Sequence, residues 1–323
     1  MASDQVLDLE RIETDLFQDA RVRERLQQEY ELESEPGSPR ELSEALVRAM
    51  GQEIPRASLA DARDGDIFRA AVEAISSGSR RWSTYLAMRA QLQVSFGQFN
   101  DPAAWTDRLQ TPNGVAELAS VLGGQSPTQQ ADAIAAWAER ASGPKSVGDV
   151  IRAADQAMRA WSEAHDTALS DTEATLALAA RLAHSNSRWP AGAHAATSSL
   201  SGSDLKGPGM GVPIAMEFLR NLGCPGFKPD THVVRLLMAW TPELVHQQEA
   251  RARALAQLAG TRNKDIIELI QVALAGCELT PKPSTGEVLP RYNRADNLLW
   301  LLGSKLVPIG KELNVEPYLR SGR

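Results

Sequence analysis

Cysteine is scarce in this chain: only Cys224 and Cys277 occur among its 323 residues. Two thiols cannot supply the four thiolates of an iron–sulfur cluster, which excludes that chemistry. Nor do they make a disulfide framework, and a reducing cytoplasm is the expected compartment. Histidine is equally sparse. His165, His184, His194, His232 and His246 show no paired ligand spacing, so no metal site is expected. No apolar run is long enough to span a bilayer, so no membrane partner is expected. Met1-Ala2-Ser3-Asp4 carries no charged-then-apolar signal pattern. Strand signals are also few. Val288-Leu289, between prolines, is too short to count, and there is no internal repeat.

Positive charge is lacking too. The formal net charge is −7, which looks wrong for a nucleic-acid binder. Its distribution softens the objection. Residues 1–40 hold eleven acidic and five basic side chains, which leaves −1 for residues 41–323. A near-neutral body with one locally positive face can hold DNA. The run Glu29-Tyr30-Glu31-Leu32-Glu33-Ser34-Glu35-Pro36-Gly37-Ser38-Pro39 reads as a linker. Residues 1–40 are therefore expected to be an acidic, solvated N-terminal segment and linker, and residues 41–323 a helical core.

What is present in quantity is helical periodicity. Asp66 can cap a helix that buries Ile67, Phe68, Ala71, Val72 and Ile75. Ser126-Pro127 makes an N-cap and first turn for residues 127–141. Val147, Val150, Ile151, Ala154, Met158 and Trp161 form one long apolar face. Ile266, Ile267, Ile270 and Leu274 form another. Trp137, Trp161, Trp240 and Trp300 lie on apolar faces and are expected in the core. The fold class is mostly α.

The most informative stretch is residues 207–235. Gly207, Gly209 and Gly211 allow positive φ angles and close backbone approach. Ile214, Ala215, Phe218, Leu219 and Leu222 then repeat at helical spacing. A helix N-terminus offers unpaired N–H groups and a positive dipole end, which suits a phosphate. Met210 lies within this turn, and Lys206 and Lys228 flank it as phosphate contacts or solvated loop residues. Read by itself, the turn is equally an ordinary connection between helices. The Gly/Pro loop that follows delivers Asp230 to the start of the next apolar helix as an N-cap. Backbone N–H groups favour the charged form of a capping carboxylate. An ionised carboxylate is what an oxocarbenium-like sugar needs beside it.

Gly209, Gly211 and Ala215, then Gly223 and Pro225, then Pro229-Asp230-Thr231-His232-Val233, together resemble the signature of the helix-hairpin-helix DNA glycosylase superfamily. The match covers about a tenth of the chain, and residues 295–303 resemble a C-terminal helix of some members. The resemblance implies two helical lobes with a cleft between them, the hairpin and Asp230 on one wall, and double-stranded DNA as partner. His232 is then structural or DNA-facing. Bifunctional members carry a lysine two residues before the small alanine, where this chain has Pro213. Proline cannot form a Schiff base, so the resemblance implies a monofunctional enzyme that uses water. It requires no cofactor and allows a structural monovalent cation on the hairpin carbonyls. A monomer is expected.

A flipped base is held by stacking and edge hydrogen bonds. Trp189, in a polar loop before the hairpin, is a pocket candidate, as are Arg81 and Trp82 beside Arg80. The expected activity is hydrolysis of the N-glycosidic bond of a damaged base. Two alternatives stay open at this point. One is defence, by excising a hypermodified base from phage DNA. The other is a helix-hairpin-helix module that binds DNA without cutting it.

Overall fold

The computed structural model describes residues 5–20, 22–24, 58–78, 82–165, 167–184, 205–281, 288–306 and 317–321. The expected linker after Glu29 and the Arg80–Arg81 pair lie outside the described residues, as do Trp189 and His194. Almost every described element is helical. In chain order they are β1 (Gln5–Leu7), α1 (Leu9–Gln18), α2 (Asp64–Ser77), α3 (Trp82–Phe96), α4 (Pro102–Leu109), α5 (Gly114–Leu122), α6 (Pro127–Ala141) and α7 (Val147–Glu163). They continue with α8 (Asp171–Ala183), α9 (Val212–Arg220), α10 (Thr231–Trp240), α11 (Pro242–Gln247), α12 (Glu249–Leu258), α13 (Lys264–Leu279) and α14 (Val288–Leu301). A π-turn (Leu302–Leu306) and β2 (Leu319–Ser321) complete the set. Among the described residues no helix is long and apolar enough to cross a membrane.

The described residues divide into two compact units. One lies within Arg56–Cys224 and Leu255–Asn263, the other within Met1–Pro55, Pro225–Ala254 and Lys264–Arg323.

In the first of these, α8 buries every residue from Ala174 through Leu182, Thr175 and Arg181 among them. A helix buried on all sides beyond its first turn belongs in the middle of a bundle. A Ser170–Glu173 capping box starts it. The predicted inner face of α2 is buried at Ile67, Phe68, Ala71, Val72 and Ile75. The helix begins at Asp64, earlier than expected, and the Asp66 carboxylate accepts the Arg63 N–H at 3.2 Å. Asp64 also accepts from Ser146 Oγ at 2.9 Å and Gly148 N at 2.8 Å, so one carboxylate ties α2 to the start of α7. Helix α6 spans the expected residues, but Ser126 takes a left-handed φ of 52° and makes no side-chain cap. Sequence reasoning passed over Trp105, a main core residue. It is fully buried, with Phe68, Phe96 and Phe99 ring centroids at 5.5, 5.1 and 5.6 Å. Trp137 is buried as expected, whereas Trp161 is only half-buried and stacks on His165.

The other unit corrects the reading of the N-terminal segment. Residues 5–18 are no solvated arm. Leu7, Leu9, Ile12, Leu16 and Phe17 are buried, each worth about 1.5–3 kcal/mol. β1 pairs antiparallel with β2 in the register Gln5–Ser321, Val6–Arg320 and Leu7–Leu319. Glu13 is buried on α1 and accepts both arms of Arg294 from α14 at 2.9 Å. Of the acids that suggested a tail, α1 itself carries only Glu10, Glu13 and Asp15. The apolar inner face decides the structure. Helix α13 buries Ile266, Ile267, Ile270 and Leu274. Trp240 is buried, but Trp300 is only half-buried.

Candidate functional site

The glycine turn lies in the unit containing α2, α6 and α8, and it is anchored by three hydrogen bonds, one to α8 and two from α6. The Gly207 N–H donates to Leu182 O at 2.8 Å, at the end of α8. From α6, the Trp137 indole N–H donates to Pro208 O at 3.1 Å and Arg140 donates to Lys206 O at 2.6 Å. Trp137 is thus a core residue that also holds the turn, and its ring lies 5.3 Å from that of Phe218 on α9. Arg140 brings a guanidinium to the turn. Sequence reasoning missed it, because 66 residues separate it from Lys206 and no local pattern links them.

The three glycines have different reasons to be glycine. Gly207 is buried, and a Cβ there would meet Met210 Sδ at 2.6 Å. Gly209 has φ +70°, and a Cβ would lie 2.6 Å from the Cβ of Ala133. Gly211 is exposed, has φ −89° and caps α9. A Cβ there would meet only Pro213 Cδ, at 3.9 Å. Among the described residues nothing demands glycine at 211.

Helix α9 buries Ala215, Phe218 and Leu219, as its periodicity predicts, and opens with Pro213 in its first turn. It closes at Gly223, φ +76°, with Cys224 N donating to Leu219 O at 3.0 Å. Cys224 is half-buried, and the burial around its sulfur, with Asp155 nearby, pushes the thiol up to about 12. It is therefore not a nucleophile near neutral pH. Met210 is buried and Lys206 exposed.

The fit of the turn to a monovalent cation can be judged from its carbonyls. Those of Lys206, Pro208 and Gly211 accept from Arg140, Trp137 and Ala215. Among the described residues no hydrogen bond runs to the carbonyls of Leu205 or Met210, and Gly207 O accepts only from Met210 N. Neutral carbonyl oxygens with lone pairs to share are the donor type such an ion takes.

Asp230 lies in the other unit, as the N-cap of α10. Its Oδ1 accepts from His232 N at 2.9 Å and Val233 N at 3.0 Å. Its backbone N–H donates to Lys228 O at 3.0 Å. Oδ2 accepts no hydrogen bond among the described residues, and the residue is half-buried. One oxygen is thus fixed by the helix while the other remains available. Lys228 is half-buried, and its backbone N–H is held by Asp296. The His232 ring lies edge-on to Trp300 at 6.4 Å, and its Nδ1 is buried with no hydrogen-bond partner among the described residues.

Of the pocket candidates, Trp189 and Arg81 lie outside the described residues. Trp82 opens α3, but its side chain lies outside them too. No group of acidic, cysteine and histidine side chains suited to a metal occurs among the described residues. No protein-family model, curated protein or solved structure matches the chain.

Proposed function

We propose that the protein is a monofunctional DNA glycosylase, which hydrolyses the N-glycosidic bond of an abnormal base flipped from double-stranded DNA. The observation that carries this reading is the carboxylate of Asp230. Its Oδ1 is spent on two backbone N–H groups, and its Oδ2 accepts none among the described residues. A carboxylate held at a fixed angle with one oxygen to offer is preorganised for a cationic transition state, with no reorganisation to make during reaction.

The chemistry then runs as follows. The bond between C1′ and the base nitrogen breaks, and its electron pair leaves with the base. Positive charge develops on the sugar, and Asp230 stabilises it. Water, oriented by the same carboxylate, bonds to C1′ and gives up a proton to that carboxylate, which passes it on so that the departed base is protonated, leaving an abasic site. The backbone at Gly209–Gly211 and the start of α9 holds a phosphate, with Lys206 adding positive charge there, while Lys228 lends positive charge beside Asp230. The carbonyls of Leu205, Gly207 and Met210 would hold a monovalent cation, which supplies further positive charge at that contact. Pro213 stands where an amine nucleophile would be needed, which supports the hydrolytic route over a lyase.

The test is incubation of the full chain with a panel of DNAs. The panel includes alkylated and oxidised duplexes and hypermodified phage genomes, with mass spectrometry of released bases. Release of one base class, abolished in Asp230→Asn, supports the reading and separates repair from defence. DNA binding with no release from any substrate overturns it in favour of a non-catalytic DNA-binding module.

A further inference from the structure

Three residues of the C-terminal helix meet the Asp230 segment in constant register. Asp296 Oδ1 accepts the Lys228 N–H at 3.1 Å. The Trp300 ring lies 6.4 Å from that of His232. Gly303 O accepts from Arg235 at 3.3 Å. Each pair is offset by 68 residues, so α14 and the π-turn run parallel to residues 228–235 as a rail. The approach is close. A Cβ at Gly303 would lie 2.9 Å from His232 Cβ. Phe227 is fully buried against Gly276 of α13, where a Cβ would stand 2.6 Å from its ring.

Asp296 is the costly member of this rail. It is only 1% exposed, and a carboxylate in such a place must be compensated by strong hydrogen bonds. One of these goes to the loop. The Lys228 carbonyl then accepts the Asp230 N–H at 3.0 Å, so Lys228 is gripped by Asp296 on one side and grips Asp230 on the other. The anchor continues outward, since Arg294 on the same helix is forked onto Glu13.

We propose that Asp296 is the positioning residue for Asp230. Through the Lys228 N–H it sets the loop that aims the free carboxylate oxygen. The catalytic consequence rests on the glycosylase reading, but the structural link does not. In the full-length protein, Asp296→Ala is expected to leave DNA affinity within about twofold. It should slow single-turnover base release at least about tenfold, the scale of a small misplacement of a reacting group. Hydrogen exchange in peptides spanning 226–233 should accelerate. Asp296→Asn keeps an oxygen that can accept the same N–H and should recover most of the rate.

Wild-type release by Asp296→Ala, unchanged exchange over 226–233, or an equal loss in the alanine and asparagine variants overturns the proposal. Should Asp296→Ala fail to fold, Gly303→Ala disturbs the same rail through the His232 contact. It must show the same split between rate and affinity, and a wild-type rate there overturns the proposal as well. A wild-type protein that releases no base sinks the glycosylase reading alone, because exchange at the loop still decides whether Asp296 sets it.

Discussion

Gly209 and Gly211 look interchangeable in sequence, and substituting both separates what the fold needs from what a phosphate needs. Gly209→Ala places a side chain in the left-handed region at φ +70°, which costs about 1–2 kcal/mol. Its Cβ would also stand 2.6 Å from that of Ala133, and overlap of this kind in a packed place costs about 1–3 kcal/mol. The sum, about 2–5 kcal/mol, is large for one methyl group. Removing the obstacle tests the cause: Ala133→Gly in the Gly209→Ala background should recover the overlap share, seen as a coupling of about 1–3 kcal/mol in a double-mutant cycle. Gly211→Val is the contrast. Its φ of −89° suits any residue, and the nearest atom to a Cβ is 3.9 Å away. Stability should change by no more than about 1 kcal/mol. A bulky side chain there should nevertheless keep a phosphate from the backbone. Losing one charge-assisted hydrogen bond weakens affinity by roughly 10- to 100-fold, similarly across DNA sequences, because phosphate contacts do not read bases. The assays are urea denaturation and equilibrium binding to plain and modified duplexes. Unaltered stability of Gly209→Ala would refute the account of the turn. Unaltered affinity of Gly211→Val would refute the turn as DNA anchor, and a loss confined to one sequence or modification would show that it reads bases.

The other predictions concern chemistry and pH. Asp230→Asn should keep the cap on α10, since an amide oxygen can also accept from His232 and Val233. Base release should fall by at least about 10²-fold, as for other preorganised groups, while melting temperature and DNA affinity hold; near-normal turnover would place the chemistry elsewhere. With Pro213 in α9, borohydride should trap no protein–DNA adduct. An efficient trap lost in Lys228→Ala or Lys206→Ala would replace the hydrolytic assignment with a lyase. Burial, reinforced by a 2.8 Å hydrogen bond to Asp15, pushes the Tyr318 phenol up to about 12 from its ordinary 10.0. The folded state therefore keeps this proton longer than the unfolded chain does. Its contribution is full below pH ~10 and is lost as pH rises toward ~12. Tyr318→Phe should flatten the alkaline limb of a stability–pH curve, and parallel limbs for the two proteins would remove Tyr318 as the cause.

Local order was legible because it is written locally. The buried faces of α2, α7, α9 and α13 follow from apolar spacing, except that Trp161 and Ile214 are only half-buried. So does the cap at Asp230, where a carboxylate after Pro229 meets a run of apolar residues. What failed to show was non-local. The N-terminal segment read as a solvated arm because its charges were counted and its apolar positions were not. Leu9, Ile12, Leu16 and Phe17 do repeat at helical spacing, but the partner of buried Glu13 is Arg294, 281 residues away. Trp105 gathers Phe96 and Phe99 from the chain just before it and Phe68 from α2, 37 residues away. Asp296 was visible in sequence only as one letter of a helical run, and its bond to the Lys228 N–H is a product of the fold.

The same distinction sharpens the functional argument. Aspartate is among the best N-caps and glycine an acceptable one, so capping alone could explain both Asp230 and Gly211. Capping, however, uses only one oxygen of Asp230, and any residue can adopt the φ of −89° at Gly211. In each case something is left over from folding: a carboxylate oxygen at one position, open space at the other. If capping were the whole explanation, Asp230→Asn and Gly211→Val would differ from the wild-type protein in stability or in nothing. The glycosylase reading requires them to differ in separate properties, the first in rate at constant affinity and the second in affinity at constant stability. A single pair of variants, measured for melting, binding and base release, therefore sets the two explanations against each other, and neither can accommodate the other's outcome.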